Sequence, residues 1–151
     1  ADTDFSGAKF TGSTSFVGAE FTADSSFLGA EFTGDAHFFR AKFTADTDFS
    51  EAEFTKKANF LEAKFTKKAN FFEATFKEKP QFEYALGNKT YKARFSCKAD
   101  PRGYNFEILH GSRYKIETEE KEYDGAKFII PKGTELFDPD EPSEQGNNDG
   151  S

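Results

Sequence analysis

Three side chains in this sequence could take part in catalysis or metal binding: His37, His110 and Cys97. The two histidines lie far apart in the chain, and neither has further ligand-type residues at a metal-binding spacing. Cys97 is the only cysteine, so the chain cannot form an internal disulfide. The nucleophile-elbow, phosphate-loop and zinc-peptidase motifs are absent. The sequence therefore predicts a protein that is not an enzyme and that has no cofactor or metal.

The charge of the chain is acidic overall but changes sign along its length. The formal net charge is −7 over 151 residues, which argues against direct nucleic-acid binding through clustered cations. Residues 1–55 carry 3 basic and 10 acidic side chains, whereas residues 56–100 carry 11 basic and 5 acidic ones. The change occurs at one repeat position, whose successive residues are Asp24, Asp35, Asp46, Lys57, Lys68 and Lys79. These charged corners are candidates for electrostatic pairing with a partner, end to end or side by side.

No stretch of the sequence is long and apolar enough to span a membrane, and no signal peptide is recognisable. The chain begins inside a repeat and without a methionine. We expect a cytoplasmic or secreted protein without a membrane span.

The organising pattern of the sequence is a regular series of phenylalanines. Fifteen of them recur in steps that alternate between five and six residues: Phe5, Phe10, Phe16, Phe21, Phe27, Phe32, Phe38, Phe43, Phe49, Phe54, Phe60, Phe65, Phe71, Phe76 and Phe82. A helical face repeats every 3.6 residues and a strand face every 2, so neither explains these steps. An 11-residue unit with two large apolar residues is typical of a solenoid, which buries its core only when copies stack.

A second rule accompanies the first: the residue two positions before each phenylalanine is Ala, Thr or Ser, with Pro80 as the one exception. Over residues 1–84 this pattern resembles the pentapeptide-repeat family, whose consensus is Ala-(Asp/Asn)-Leu-X-X with Phe common in place of Leu. The resemblance implies a right-handed quadrilateral β-helix. This chain departs from the consensus by using Phe at every centre and by lengthening every second unit to six residues.

The alternation of steps favours a four-sided coil. Four faces give a turn of 22 residues, which stacks Phe5 below Phe27, Phe49 and Phe71 and places the longer units at two opposite corners. A three-sided coil would place a five-residue unit over a six-residue unit and misalign the rings. The sequence therefore predicts an all-β solenoid of just under four coils.

The alternation of five- and six-residue steps ends after Phe82. Residues 85–137 contain β-type segments separated by turn signals such as Gly87-Asn88 and Asp124-Gly125, which predict a small antiparallel sheet of four or five strands. We expect this region to cap the solenoid, whose bare end would expose unpaired backbone groups. Residues 138–151 are acidic and polar, and they are typical of a disordered tail.

If the repeats carry the function, it must lie on their outer surface. Outward-facing apolar residues are unusual there and often mark contacts; they are Val17, Leu28, Phe39, Leu61 and Phe72. Threonines follow alternate phenylalanines in two columns, Thr11-Thr33-Thr55 and Thr22-Thr44-Thr66, and Thr favours strand pairing.

The leading hypothesis is a structural or protein–protein interaction module, whose partner is another protein or a second copy. Self-assembly into a homo-oligomer or filament would be head to tail, through the uncapped first coil. The family resemblance implies an alternative, a DNA mimic that binds DNA gyrase through acidic residues such as Asp24, Asp46 and Asp48, although residues 56–98 are basic. A third hypothesis is an extracellular fibre or surface subunit.

Overall fold

The structure is a computed structural model that describes residues 2–141. It is all-β, and the described residues contain no helix except a 3₁₀ turn at Pro101–Gly103. The repeats form fourteen two-residue strands: β1 (Thr3–Asp4), β2 (Lys9–Phe10), β3 (Thr14–Ser15), β4 (Glu20–Phe21), β5 (Ser25–Ser26), β6 (Glu31–Phe32), β7 (Ala36–His37), β8 (Lys42–Phe43), β9 (Thr47–Asp48), β10 (Glu53–Phe54), β11 (Ala58–Asn59), β12 (Lys64–Phe65), β13 (Ala69–Asn70) and β14 (Thr75–Phe76). The rest of the chain adds β15 (Glu83–Leu86), β16 (Lys89–Lys92), β17 (Arg94–Ser96), β18 (Tyr104–Asn105), β19 (Thr118–Tyr123), β20 (Ala126–Pro131) and β21 (Glu135–Phe137).

The repeat strands form four parallel sheets, which the chain visits in turn. Sheet 1 has the order β1-β5-β9-β13-β18, sheet 2 has β2-β6-β10-β14, sheet 3 has β3-β7-β11, and sheet 4 has β4-β8-β12-β17-β21. Strand pairs within the repeats are offset by 22 residues, as in Thr3↔Ser25 and Phe10↔Phe32. The predicted all-β solenoid with 22-residue coils is therefore confirmed, and β1–β12 make its first three turns.

The axis of the solenoid is filled by phenylalanine rings. Rings one coil apart stack almost parallel, with centroids 4.7 Å apart and planes at 2° for Phe27 and Phe49. Rings on opposite faces meet edge to face, as Phe27 and Phe38 do at 5.7 Å and 87°, and rings on adjoining faces meet edge to face or tilted, as Phe27 and Phe32 do at 39°. The stacked and edge-to-face arrangements suit the aromatic quadrupole and add about 0.5–1.5 kcal/mol per pair to the burial free energy. The small residues two positions earlier, such as Ala52 and Ala63, are also fully buried.

The five-residue units turn their corners by a β-turn. The N–H of the small residue donates to the carbonyl of the phenylalanine three positions earlier, as in Ala8 to Phe5 at 3.0 Å. The third residue of each such turn has a positive φ, which favours glycine. It is Gly7, Gly18 and Gly29 in the first coils, but later turns place Arg40, Glu51, Glu62 and Glu73 in the same conformation.

The residue before the phenylalanine supports this turn through its side chain. A side-chain oxygen there accepts the backbone N–H two residues later, at 2.9 Å for Asp4, 2.8 Å for Asn59 and 2.9 Å for Asn70. Short polar side chains form this type of turn readily, which explains the recurrence of Asp, Asn and Ser at this repeat position.

The coil continues beyond the regular spacing. Phe82 stacks on Phe60 at 5.2 Å, Phe95 on Phe65 at 5.0 Å, and Phe106 on Phe71 at 5.5 Å. Between Phe82 and Phe95 the chain inserts the antiparallel hairpin β15–β16, and before Phe106 it inserts residues 97–103. The strands β17 and β18 consequently pair in parallel with β12 and β13.

The antiparallel pairing predicted for the C-terminal region is present, but as two separate hairpins, β15–β16 and β19–β20. The single sheet of four or five strands is not formed, because β17, β18 and β21 join the parallel sheets. Four buried residues that follow Phe106 in the chain belong to the same apolar core as the ladder: Ile108, Ile116, Phe128 and Ile130. The Tyr104 ring joins the two parts, since its centroid lies 5.4 Å from that of Phe95 and 6.1 Å from that of Phe128.

The segment expected to be a tail is described only in part. Asp138 accepts the backbone N–H of Asp140 at 2.9 Å, and its carboxylate lies 3.9 Å from the Lys98 ammonium group. Residues 142–151 lie outside the described residues. Within residues 2–141, the structure has no helix of the length and apolarity needed to cross a membrane.

The adjacent residues Phe38 and Phe39 give a matched test of the ring ladder. Phe38 is fully buried on the axis, whereas Phe39 points outward and is partly exposed. Phe38→Ala should lower the free energy of unfolding by about 3–5 kcal/mol because it leaves a cavity, and Phe39→Ala by about 1 kcal/mol. Urea unfolding measures both values, and equal losses would contradict an energetic role for the axis.

Candidate interaction surfaces

The three residues with catalytic or ligating chemistry are not brought together. His37 lies on sheet 3 between Ser15 and Asn59, and His110 lies on the cap with its Nδ1 3.7 Å from a Glu73 carboxylate oxygen. Burial, followed by the Asp138 carboxylate, raises the pKa of the Cys97 thiol, so this group is less reactive than a solvent-exposed thiol. Across residues 2–141 no group of three or more His, Cys, Asp or Glu side chains could hold a metal ion. Outer surfaces are therefore the candidate sites.

The five apolar residues expected to make contacts are exposed to different degrees. Val17 and Leu28 are exposed, Phe39 and Phe72 are partly exposed, and Leu61 is buried. Val17, Phe39 and Leu61 lie one coil apart along the corner between sheets 3 and 4. Leu28 and Phe72 belong to the opposite corner, where Ser50 separates them.

The first of these corners gains apolar surface from an element that sequence reasoning did not place there. The β15–β16 hairpin brings the Tyr91 ring to 6.4 Å from the Phe39 ring. Tyr84 lies directly opposite Tyr91 in the hairpin, so the two share one side of it, and Leu86 lies on the same side because side chains alternate. We call Val17, Phe39, Tyr84, Leu86 and Tyr91 the apolar corner.

Cations lie over the aromatic rings of the apolar corner. The Arg40 guanidinium is 5.1 Å from the Phe39 ring centroid, and the Lys89 ammonium is 5.5 Å from that of Tyr91. A cation at this distance from a ring face is attracted to it. The corner therefore combines apolar area with a positively charged rim.

The charged corners have a structural role that the charge pattern alone did not reveal. A carboxylate oxygen of Asp24 accepts the backbone N–H of Asp46 at 3.1 Å, and one of Asp46 accepts that of Lys68 at 3.2 Å. Asp35 does the same for the N–H of Lys57 at 3.1 Å. Each aspartate therefore links one six-residue turn to the next coil. The lysines Lys57, Lys68 and Lys79 are exposed at the same repeat position.

Sheet 1 carries the most acidic part of the surface. A shallow trough of about 410 Å³ runs along it and is lined by five aspartates: Asp2, Asp4, Asp24, Asp46 and Asp48. Lys68 and Asn70 line its far end. Hydrogen bonds from the hydroxyl and then the backbone N–H of Ser6 lower the pKa of Asp4.

Part of the threonine pattern also has a backbone role. The Thr33 hydroxyl donates to the Phe10 carbonyl and the Thr44 hydroxyl to the Phe21 carbonyl, each at 3.2 Å. Both bonds join neighbouring coils across sheets 2 and 4. These hydroxyls therefore reinforce the ladder of parallel strands.

Comparison with known proteins supports the repeat assignment. Residues 1–42 match the family model described as pentapeptide repeats (9 copies). Neither the curated proteins nor the solved structures include a match to this chain. The matched residues fall within the first two coils, and the same stacking extends through the later coils to Phe106.

The corner hydrogen bonds of the aspartates predict a specific sequence requirement. Asp46→Ala removes the acceptor for the Lys68 N–H and should lower the free energy of unfolding by about 1 kcal/mol. Asp46→Asn keeps an acceptor oxygen and should cost less than half as much, although it removes the same charge. Urea unfolding at neutral pH compares the two variants. If the two variants lose the same free energy of unfolding, the charge of Asp46, and not its acceptor oxygen, stabilises this corner.

Proposed function

We propose that this pentapeptide-repeat β-solenoid is a non-enzymatic interaction module that binds another protein, or a second copy, through the apolar corner. The observation that carries the proposal is the exposure of large apolar side chains there: Val17 is 53% exposed, Tyr84 46% and Leu86 60%. Grouped apolar side chains of this size on a water-facing surface are typical of contact sites.

The construction of the rod supports this role. Every coil is hydrogen-bonded to its neighbours, and the rings on the axis are buried from Phe21 onwards. The part of the apolar corner that lies on the coils, Val17 and Phe39, is therefore already ordered, so little conformational entropy is lost there on binding. The aromatic residues Phe39, Tyr84 and Tyr91 belong to the class that contributes most to interfaces.

Self-assembly through the first coil is a further part of the proposal. Phe5, Phe10 and Phe16 are only half-buried, whereas the rings above them are buried. The ladder could therefore continue onto a coil from a second copy or from chain preceding Ala1. Head-to-tail stacking also needs a free surface at the opposite end of the solenoid. At that end, buried Phe128 and Ile130 cover the ladder and oppose such stacking.

A second candidate function is the DNA-like binding of DNA gyrase. It is favoured by the aspartate trough of sheet 1, which runs along the rod as phosphates run along duplex DNA. The lysines of the later coils, such as Lys67 and Lys68, oppose it because they interrupt the negative surface. An extracellular fibre or surface subunit is consistent with the same rod and would also use end contacts.

The apolar corner can be tested by substitution at its most exposed residue. Leu86→Asp should weaken binding of the partner, or self-association, about tenfold or more because it places a charge in an apolar contact. Leu109→Asp is the matched control, since Leu109 is 50% exposed on the cap. Sedimentation velocity measures self-association, and quantitative affinity capture from the source organism measures partners. If all binding is equal in the two variants and the wild type, the apolar corner is not the site.

The gyrase candidate has its own assay. Wild-type protein should inhibit or protect gyrase supercoiling at micromolar concentration, and Asp24→Asn/Asp46→Asn/Asp48→Asn should lose that effect. The asparagines keep the hydrogen-bond acceptors and remove only charge. Absence of any effect of the wild-type protein would exclude this function.

A further inference from the structure

Two opposite faces of the solenoid carry complementary charges. Each coil passes through sheets 1 to 4 in order, so sheet 2 lies opposite sheet 4. The outward residues that precede Phe10, Phe32 and Phe54 on sheet 2 form the first charge column: Lys9, Glu31 and Glu53. The corresponding residues on sheet 4 form the second charge column: Glu20, Lys42 and Lys64. Coil by coil, the two columns are opposite in sign.

Each column also contains two like charges on neighbouring strands. Lys9 lies 4.0 Å from Glu31 in the first column, and Lys42 lies 3.8 Å from Glu20 in the second. Glu53 then follows Glu31, and Lys64 follows Lys42. Within residues 2–141 neither Glu53 nor Lys64 makes an ion pair, although the Lys64 ammonium lies 5.4 Å from the centroid of the Phe137 ring. Like charges directly opposite each other on paired strands are destabilising.

Lys64 shows the consequence of this arrangement. It pairs in register with Lys42 on one side and Arg94 on the other. Burial, followed by the Arg94 and Lys42 charges, lowers the pKa of Lys64. A carboxylate from outside the chain would relieve this repulsion.

We propose that copies of this chain associate side by side, parallel and in register, with sheet 2 of one copy against sheet 4 of the next. In this arrangement each coil contributes one pair of opposite charges. The pairs are Lys9 with Glu20, Glu31 with Lys42, and Glu53 with Lys64 of the neighbouring copy. The two unpaired residues, Glu53 and Lys64, then become partners.

Other registers match less well. Reversing one copy places Lys9 against Lys64 and Glu53 against Glu20, which are both like pairs. A shift of one coil places Lys9 against Lys42 in one direction, or Glu31 against Glu20 in the other. The parallel, in-register arrangement is the one in which all three coils have opposite signs.

The dimensions of the coil allow these contacts. Paired residues differ in height by half a coil, or about 2.4 Å. Strands on opposite faces run in opposite directions, so the two charge columns are offset along the strands by two residues, or about 6.6 Å. Moving one copy sideways by this distance brings the columns face to face. Beside each charge column, two residues further along each strand, runs a column of short threonines, for example Thr33 and Thr44. These side chains leave room for the longer Lys and Glu to meet.

The contact joins two different faces, so it does not close after two copies. A heterologous contact without a closing rotation gives open arrays, here ribbons of parallel rods. The net charge of −7 opposes association over longer distances. Self-association should therefore be weak and should increase with protein concentration. This contact uses the side faces of the solenoid, and neither the apolar corner nor the open end of the first coil takes part in it.

A charge swap tests the proposal. Glu53→Lys and Lys64→Glu each create one like pair between copies, and each should weaken self-association about fivefold. The double variant Glu53→Lys/Lys64→Glu restores an opposite pair and should return to within about twofold of the wild type. Glu51→Lys is the control, because Glu51 is exposed at a corner outside both columns and changes the net charge equally. Sedimentation equilibrium over a range of concentrations, at about 0.05 M and 0.5 M salt, measures the association constants.

Thermal unfolding of the same variants separates association from folding. Glu53→Lys removes the like pair with Glu31, so its monomer should be as stable as the wild type or slightly more stable. Weaker association in a monomer of equal stability supports the contact. A wild type that stays monomeric at every concentration overturns it. The proposal is also overturned if Glu51→Lys weakens self-association as much as Glu53→Lys does, or if the double variant does not regain the association constant of the wild type. Association that Leu86→Asp abolishes while Glu53→Lys leaves it unchanged would assign the contact to the apolar corner instead.

Discussion

The stacking of phenylalanine rings along the axis is the interaction on which the rest of this structure depends. Two-residue strands have few hydrogen bonds of their own and would not hold a sheet together without a filled core. Rings one coil apart, such as Phe43 and Phe65 at 4.8 Å, match the spacing of hydrogen-bonded parallel strands. The same spacing between coils therefore suits both ring stacking and backbone pairing. Both are met only when a coil has 22 residues, because equivalent phenylalanines then lie one above the other.

The corners contain residues whose backbone conformation is costly. Arg40, Glu51, Glu62 and Glu73 adopt a conformation that favours glycine, at a cost of about 1 kcal/mol each. Three of these side chains still make useful contacts: Arg40 donates to Glu62 at 3.0 Å, and Glu73 accepts the N–H of Leu109 at 2.8 Å. The Glu73 bond attaches the cap to the last regular coil.

The outer surface separates into regions with different chemistry. The aspartates of sheet 1, the opposite charge columns of sheets 2 and 4, and the apolar corner face different directions, so a partner at one leaves the others free. At the corner of Asp24 and Asp46 the series of side-chain links ends at Lys68, because the residue 22 positions later is Thr90, which lies in the β15–β16 hairpin.

The spacing of the phenylalanines and of the small residues before them was sufficient to predict the four-sided coil, its period and its filled axis. These features are local and periodic, so one repeat determines the packing of the next. The continuation of the ladder through Phe95 and Phe106 was not predicted, although Ala93-Arg94-Phe95-Ser96 has the form of a repeat, because insertions change the steps. The candidate site was predicted only in part: Val17 and Leu61 occupy one column, yet the first is exposed and the second is buried. The hairpin that brings Tyr91 to Phe39 joins residues that are distant in the chain. Such contacts have no period to reveal them, so only the tertiary structure decided which parts of the outer surface form an apolar corner.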